Sequence, residues 1–291
     1  MMSGRPTAAI TGASGYLGST IRSALDAHGW RTIALVRSPR PNDPDAIPFT
    51  LGGRVDPAIF EGIDALIHCA YDPSLTARDA IWHVNVEGTE QLLDAALVAG
   101  VGCSLVISSI AAYPGTEQVY GRAKLAIEDI ARARAGVVIR PGLVFGPHAG
   151  GIVGSLSKVM ALPLVPLLAG RTHIYTLHED DLAAAVLKLA TMRDPPTTPV
   201  VLAHPEPVNV AVLLRSIAAA RGSGARFVPV PWQPVFWTLR LTEIASLPLP
   251  FRADSLWGLA HPPPRPDPTT IDALGVSLRP WTLSADSAPI R

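Results

Sequence analysis

The sequence predicts an α/β fold, with a doubly wound parallel sheet in its first half and a smaller lobe after it. Short runs rich in Val and Ile recur without polar alternation, as strands buried on both faces do. Amphipathic helical patterns separate these runs, which is the alternation that builds a parallel sheet covered by helices. Three glycines, Gly12, Gly15 and Gly18, fall at the first strand-to-helix junction. Glycine there allows tight turns and a close backbone approach, and the helix start offers free N–H groups to a phosphate.

In chain order, strands are expected over 7–11, 32–36, 65–69, 103–108 and 137–140, with helices over 16–28, 78–99 and 120–135. A Rossmann-type sheet of this kind binds ligands at the carboxyl ends of its strands. Beyond Gly150 the regularity weakens. Two more strand–helix pairs are expected, 174–177 with 180–192 and 200–203 with 208–221, then a strand over 226–230. The chain therefore divides into a dinucleotide-binding part, 1–150, and a smaller substrate lobe, 151–291, interleaved with the sheet. Residues 152–169 are apolar, but Lys158, Pro163 and Pro166 interrupt them well short of the ~20 residues a membrane span needs. They read as a helix with a proline-rich exit. Residues 235–251 carry Arg240 and Glu243 and read as a packed helix, while His261-Pro-Pro-Pro-Arg-Pro reads as an extended surface segment. The C-terminal tryptophans Trp232, Trp237 and Trp257 read as lobe core by default, with a pocket wall the alternative.

Lys and Arg number 24, as do Asp and Glu, so there is no basic excess to attract nucleic acid or an anionic membrane. The two cysteines, Cys69 and Cys103, lie in apolar runs and read as buried free thiols of a reducing compartment. A strand begins almost at once, leaving no basic-then-apolar signal segment, so a cytoplasmic location is expected. No metal site is expected.

Tyr120 and Lys124 stand four residues apart at a helix start and project from one face. A phenol titrates near pH 10 in isolation, and a neighbouring ammonium favours the phenolate, which makes Tyr a usable acid or base. Ser109 closes a strand upstream, where its hydroxyl faces the ligand crevice and can bond a substrate carbonyl or alkoxide.

Together these residues resemble the extended short-chain dehydrogenase/reductase family, the NAD-dependent epimerase/dehydratases. The resemblance runs through Thr11-Gly-x-x-Gly-x-x-Gly18, Asp64-Ala-Leu-Ile-His-Cys-Ala70, Asn85-Val-Glu-Gly-Thr89 and Ser108-Ser109. It continues through Tyr120-x-x-x-Lys124, Arg140-Pro-Gly-Leu-Val-Phe-Gly-Pro147 and His178-Glu-Asp-Asp-Leu-Ala183. It implies that Gly12, Ser14, Gly15, Tyr16, Leu17 and Gly18 form the pyrophosphate loop and that Ala70, Pro141 and Val144 border the cofactor. Tyr120 would exchange a proton with substrate, and Ser109 would polarise the reacting carbonyl. Lys124 would bond the nicotinamide ribose and hold the Tyr pKa down. Asn85 would brace the central helix against the sheet. The family also suggests a homodimer through the helices at 78–99 and 120–135.

Arg37, assisted by Arg40, ends the second strand where an acidic residue would select NAD, so NADP is favoured, with NAD the alternative. Tyr71, Tyr113, His148 and Arg171 are candidates to line a small-molecule substrate pocket; His178 and Asp181 read as anchors of a helix start.

Three features depart from the family pattern. The Ser109–Tyr120 segment is short. Leu51-Gly52-Gly53 replaces an acidic residue near the adenine, for which Asp56 is a substitute. The arginine that holds a sugar-nucleotide diphosphate is displaced to Arg171. The expected function is an NAD(P)-dependent oxidoreductase acting on a carbonyl or secondary alcohol. The alternatives are a nucleotide-sugar epimerase or dehydratase and a non-catalytic NADP-binding regulator.

Overall fold

The computed structural model describes residues 4–148, 150–244, 252–267 and 269–282. The chain opens with β1 (Thr7–Thr11), α1 (Tyr16–Ala27), β2 (Arg31–Val36), β3 (Ala46–Pro48) and β4 (Ala65–His68). There follow α2 (Arg78–Ile81), α3 (Gly88–Val98), β5 (Cys103–Ile107), α4 (Val119–Ala133) and β6 (Val137–Pro141). The later half holds β7 (Leu143–Phe145), α5 (Gly151–Val159), β8 (Leu164–Leu167), β9 (His173–Ile174), β10 (Thr176–His178) and α6 (Glu179–Thr191). It closes with β11 (Val200–Leu202), β12 (Val208–Asn209), α7 (Val210–Ala220), β13 (Arg226–Pro229), α8 (Trp232–Ile244), α9 (Ala253–Ala260) and α10 (Thr269–Leu274).

Seven strands form one parallel sheet in the order β11-β6-β5-β4-β1-β2-β3. Successive strand residues face opposite sides, and the chain fills both. Ile10, Ala34, Ile67, Leu105 and Ile139 meet α1 and α6 through Ile21, Leu25, Leu182 and Val186. Ala9, Leu35, Leu66, Val106 and Val138 meet α3 and α4 through Leu92, Ala96, Ala123 and Ile127. Each fully buried Leu or Ile stabilises the sheet by about 1.5–3 kcal/mol. The sheet is thereby rigid, and its carboxyl edge gathers the ends of β1, β4, β5 and β6.

The expected helix over 78–99 is not one α-helix. A π-helical turn, Trp82–Glu87, separates α2 from α3 and turns Asn85 inward, where it is fully buried. The stretch 152–169 is also corrected: the helix ends at Val159, and the proline-rich exit becomes β8, paired with β13. Proline lacks an N–H but still offers its carbonyl, which suits a strand in a two-stranded ribbon. Within 235–251, α8 starts earlier, at Trp232, and residues 245–251 lie outside the described residues. Trp232, Phe236, Trp257 and His261 pack together, whereas Trp237 is 64% exposed and no part of the lobe core. Cys69 and Cys103 are free thiols but only half-buried, at the two ends of their strands. Among the described residues no helix is long and apolar enough to cross a membrane.

Candidate active site

The glycine loop joins β1 to α1. Gly12 has φ +65°, a left-handed conformation that penalises other residues, and a Cβ there would lie 3.0 Å from the Ala70 backbone. A Cβ on Gly18 would collide with the Gly12 carbonyl, so glycine lets α1 pack close against its own loop. Gly15 caps α1 without a side-chain bond, and Ser14 and Gly15 are exposed. The first-turn N–H groups of α1 are therefore open to a ligand, at the positive end of the helix dipole. This cradle fits a dinucleotide diphosphate. Tyr16 and Leu17 are half-buried beneath it.

A hydrogen-bonded chain fixes the neighbouring strand ends. The Thr11 hydroxyl lies 2.7 Å from His68 Nδ1 and accepts the N–H groups of Cys69 and Ala70, each at 3.1 Å. His68 Nε2 meets the Thr89 hydroxyl at 2.9 Å, which itself donates to the Asn85 carbonyl. That pattern assigns a neutral imidazole, Nε2 donating and Nδ1 accepting. Burial and the Lys124 charge push the His68 pKa down to about 3. Asn85 was expected to brace its helix against the sheet. Instead its side chain brackets Asp72, accepting the Asp72 N–H at 2.7 Å and donating to the Asp72 carbonyl at 3.3 Å. It thus orients the loop that carries Ala70 and Tyr71.

Ser109 follows β5, and Tyr120 and Lys124 lie on the first two turns of α4. The three meet at the carboxyl edge, with Ser109 near enough to the Tyr120 phenol to act on its pKa. Burial raises the Tyr120 pKa above that of an ordinary phenol, and the Ser109 side chain beside it pulls it back. Lys124 is not the group that draws it down here. Its Nζ donates to the Ile107 carbonyl at 2.8 Å and lies 5.9 Å from the Tyr120 ring centre. Burial pushes the Lys124 ammonium down to about 8, opposed by Cys69 and Glu128. Beneath it the buried Glu128 accepts from Ser108 and takes Arg140 in a two-pronged ion pair, at 2.8 and 2.6 Å. That pair holds α4 against β5 and β6.

Of the four candidate substrate residues, Tyr71 joins the site directly. Its ring stands edge-on to Tyr120, centres 5.1 Å apart, and Lys124 Nζ lies 4.7 Å over it. Tyr113 is half-buried in the turn after Ser109. His148 sits by the glycine loop instead: its ring and N–H bond the buried Glu179, which also accepts the Tyr16 hydroxyl at 2.6 Å. Arg171 is exposed in the turn between β8 and β9. The Pro141 carbonyl accepts the Ile110 N–H at 2.9 Å, and Val144 pairs with Leu177 across β7 and β10. His178 caps α6, and Asp181 accepts the Arg279 N–H at 2.7 Å. Arg37 and Arg40 are exposed after β2; the Ser74 hydrogen bonds, against burial and with a smaller pull from the Arg37 charge, hold the Asp72 carboxyl below its usual range. Asp56 is engaged as the cap of a short 3-10 helix, Pro57–Phe60, and is not free to replace the missing acid near the adenine.

The sequence did not point to Glu179 or to Asp254. Glu179 stands in a helix-start motif whose neighbours suffice to explain an acid on dipole grounds. Asp254 lies 135 residues from its partner Val119, and no local pattern announces it.

Known proteins resemble this chain to different extents. A ceramide reductase from Caulobacter vibrioides is 30% identical over 192 residues, which span 63% of this chain and 60% of that protein. The structure of MoeE5 in complex with UDP-glucose and NAD superposes with a TM-score of 0.68 at 24% identity, over 77% of this chain and 85% of the other. The terminal R domain from the myxalamid PKS-NRPS biosynthetic pathway superposes with a TM-score of 0.72 at 17% identity, over 99% of this chain and 89% of the other. Both structures share the fold. Residues 8–211 match the model of the NAD dependent epimerase/dehydratase family, and this chain belongs to that family of extended short-chain dehydrogenase/reductase enzymes.

Proposed function

We propose that this chain is a carbonyl reductase that prefers NADPH, with Tyr120 as the proton donor. The observation that supports the reading is the gathering of three groups at one edge: a half-buried Tyr120 whose pKa burial raises, Ser109 beside it, and Lys124 with its Nζ 5.9 Å from the Tyr120 ring centre. Such a phenol is protonated at neutral pH, ready to give its proton to a carbonyl oxygen as that oxygen gains negative charge. Ser109 would donate its hydroxyl hydrogen to the same oxygen and steady the developing alkoxide. Lys124, one helical turn on with its Nζ 5.9 Å from the Tyr120 ring centre, would steady the phenolate left behind and bond a ribose hydroxyl. The bound nicotinamide supplies the two electrons and the hydrogen that reach the carbonyl carbon. Tyr71 walls the site with its ring, edge-on to Tyr120.

Arg37 supports NADPH, since a guanidinium at the end of β2 suits a ribose 2′-phosphate. The ceramide reductase relative supports a net reduction. The exposed Arg171, out of register with the family's diphosphate-binding arginine, speaks against a sugar nucleotide.

The test is to offer NADPH or NADH with a panel of aliphatic ketones, aromatic ketones, β-keto esters and a 3-keto sphingoid base. Oxidation of NADPH that depends on one of these carbonyls supports the reading. Interconversion of a UDP- or dTDP-sugar without net cofactor consumption overturns it.

A further inference from the structure

The catalytic helix has no cap of its own. Gln118 precedes α4 in an extended conformation and its side chain makes no bond to the first turn. Uncapped first-turn N–H groups weaken a helix start and let it fray. The missing cap arrives from the far end of the chain. Asp254 Oδ1 accepts the Val119 N–H at 2.7 Å, and Oδ2 accepts the N–H of Tyr120 itself at 3.2 Å. Gln118 closes the bracket, its Nε2 donating to the Asp254 carbonyl at 3.1 Å.

The same short segment grips the opposite wall of the site. Arg252 Nη1 donates to the carbonyls of Pro73 and Leu75, at 3.0 and 2.9 Å, in the loop that follows Tyr71. Glu243 of α8 accepts the Ala253 N–H at 2.9 Å, which ties the segment to the lobe. Residues 252–254 therefore span Tyr71 on one side and Tyr120 on the other, the two rings that stand edge-on in the site.

We propose that Asp254 is a positioning residue for the reaction: a two-oxygen cap, supplied by the substrate lobe, that sets where the Tyr120 phenol stands relative to Ser109. A carboxylate suits this place because it also meets the positive end of the α4 dipole. A shift of α9 against α4 breaks a bond at Tyr120 directly, so the seating of the lobe and the geometry of the proton donor are one event. A misplacement of a reacting group by about 1 Å costs on the order of 100-fold in rate.

The inference rests on the reading of Tyr120 as proton donor, and its test separates the two. D254A and D254N are compared with wild type for kcat and KM on the carbonyl that the panel identifies, for NADPH affinity, and for amide exchange at Val119 and Tyr120. D254A is expected to lower kcat about 10–100-fold, to leave the NADPH Kd within about twofold, and to speed exchange at both amides. D254N keeps one acceptor oxygen and is expected to recover a clear part of kcat and of the protection. If D254A does not fold, D254N carries the test, with kcat reduced at unchanged NADPH affinity. Wild-type kcat in D254A overturns the proposal, as does unchanged amide exchange, or equal losses in D254A and D254N. A Y120F variant as active as wild type contradicts the reading of the reaction instead, and the amide exchange then decides the capping role alone.

Discussion

Lys124 holds its ammonium 4.7 Å over the ring of Tyr71, closer than the 5.9 Å that separates it from the centre of the Tyr120 ring. The cation is parked on a second phenol and on the Ile107 carbonyl, while Ser109 is the side chain that acts on the Tyr120 phenol. Burial first, then the Tyr120 and Asp254 charges, raise the Tyr71 pKa, so this second phenol stays neutral beside the first. Tyr71 is then a neutral platform for Lys124.

The platform role predicts a difference between two substitutions. Tyr71→Phe keeps the ring and is expected to retain kcat within about threefold. Tyr71→Ala removes a cation–π contact of about 0.5–2 kcal/mol and opens the site to water, and it is expected to lower kcat about tenfold. Steady-state rates on the same carbonyl measure both. Equal rates in the two variants would sink the platform role.

His68 gives a prediction about acid. Its folded pKa is about 3 against 6.5 in the unfolded chain, so between those values the unfolded state binds the extra proton. Stability from the neutral imidazole is whole above about pH 6.5 and is lost as pH falls toward 3. Urea midpoints measured across that window are expected to fall more steeply for wild type than for H68Q. Parallel slopes would show that His68 does not titrate there.

The proposed preference for NADPH assigns the choice of dinucleotide to Arg37. Replacing a charge-assisted contact worth about 1.5–3 kcal/mol by a carboxylate, in Arg37→Asp, is expected to cut the NADPH-over-NADH preference by tenfold or more. The ratio of kcat/KM for the two cofactors checks it. An unchanged ratio would remove Arg37 from the site.

The parts of this site that were legible in the sequence are those written in local patterns. The strand over 7–11 and the glycines after it declare themselves because one strand, one turn and one helix start suffice to specify them. The placement of Ser109, Tyr120 and Lys124 was legible because a parallel strand must end at the crevice and a four-residue spacing must share a helix face. What was hidden depends on distant partners. The π-helical turn at Trp82–Glu87 follows from burying Asn85 against Asp72, a contact between two elements. The pairing of β8 with β13 joins two stretches that show no alternation of their own. Lys124 was expected to lower the Tyr120 pKa, but spacing along a helix does not reveal that burial and the Ile107 carbonyl compete for the two groups. Trp237 looked like core by residue type, yet it lies on the outward side of α8.

The central claim is tested most directly by Y120F, with turnover and NADPH binding measured on the same preparation. The account predicts a loss of kcat of about 100- to 10,000-fold, the span that positioned proton transfer contributes, with NADPH affinity close to wild type. Turnover near the wild-type rate in that variant would contradict it.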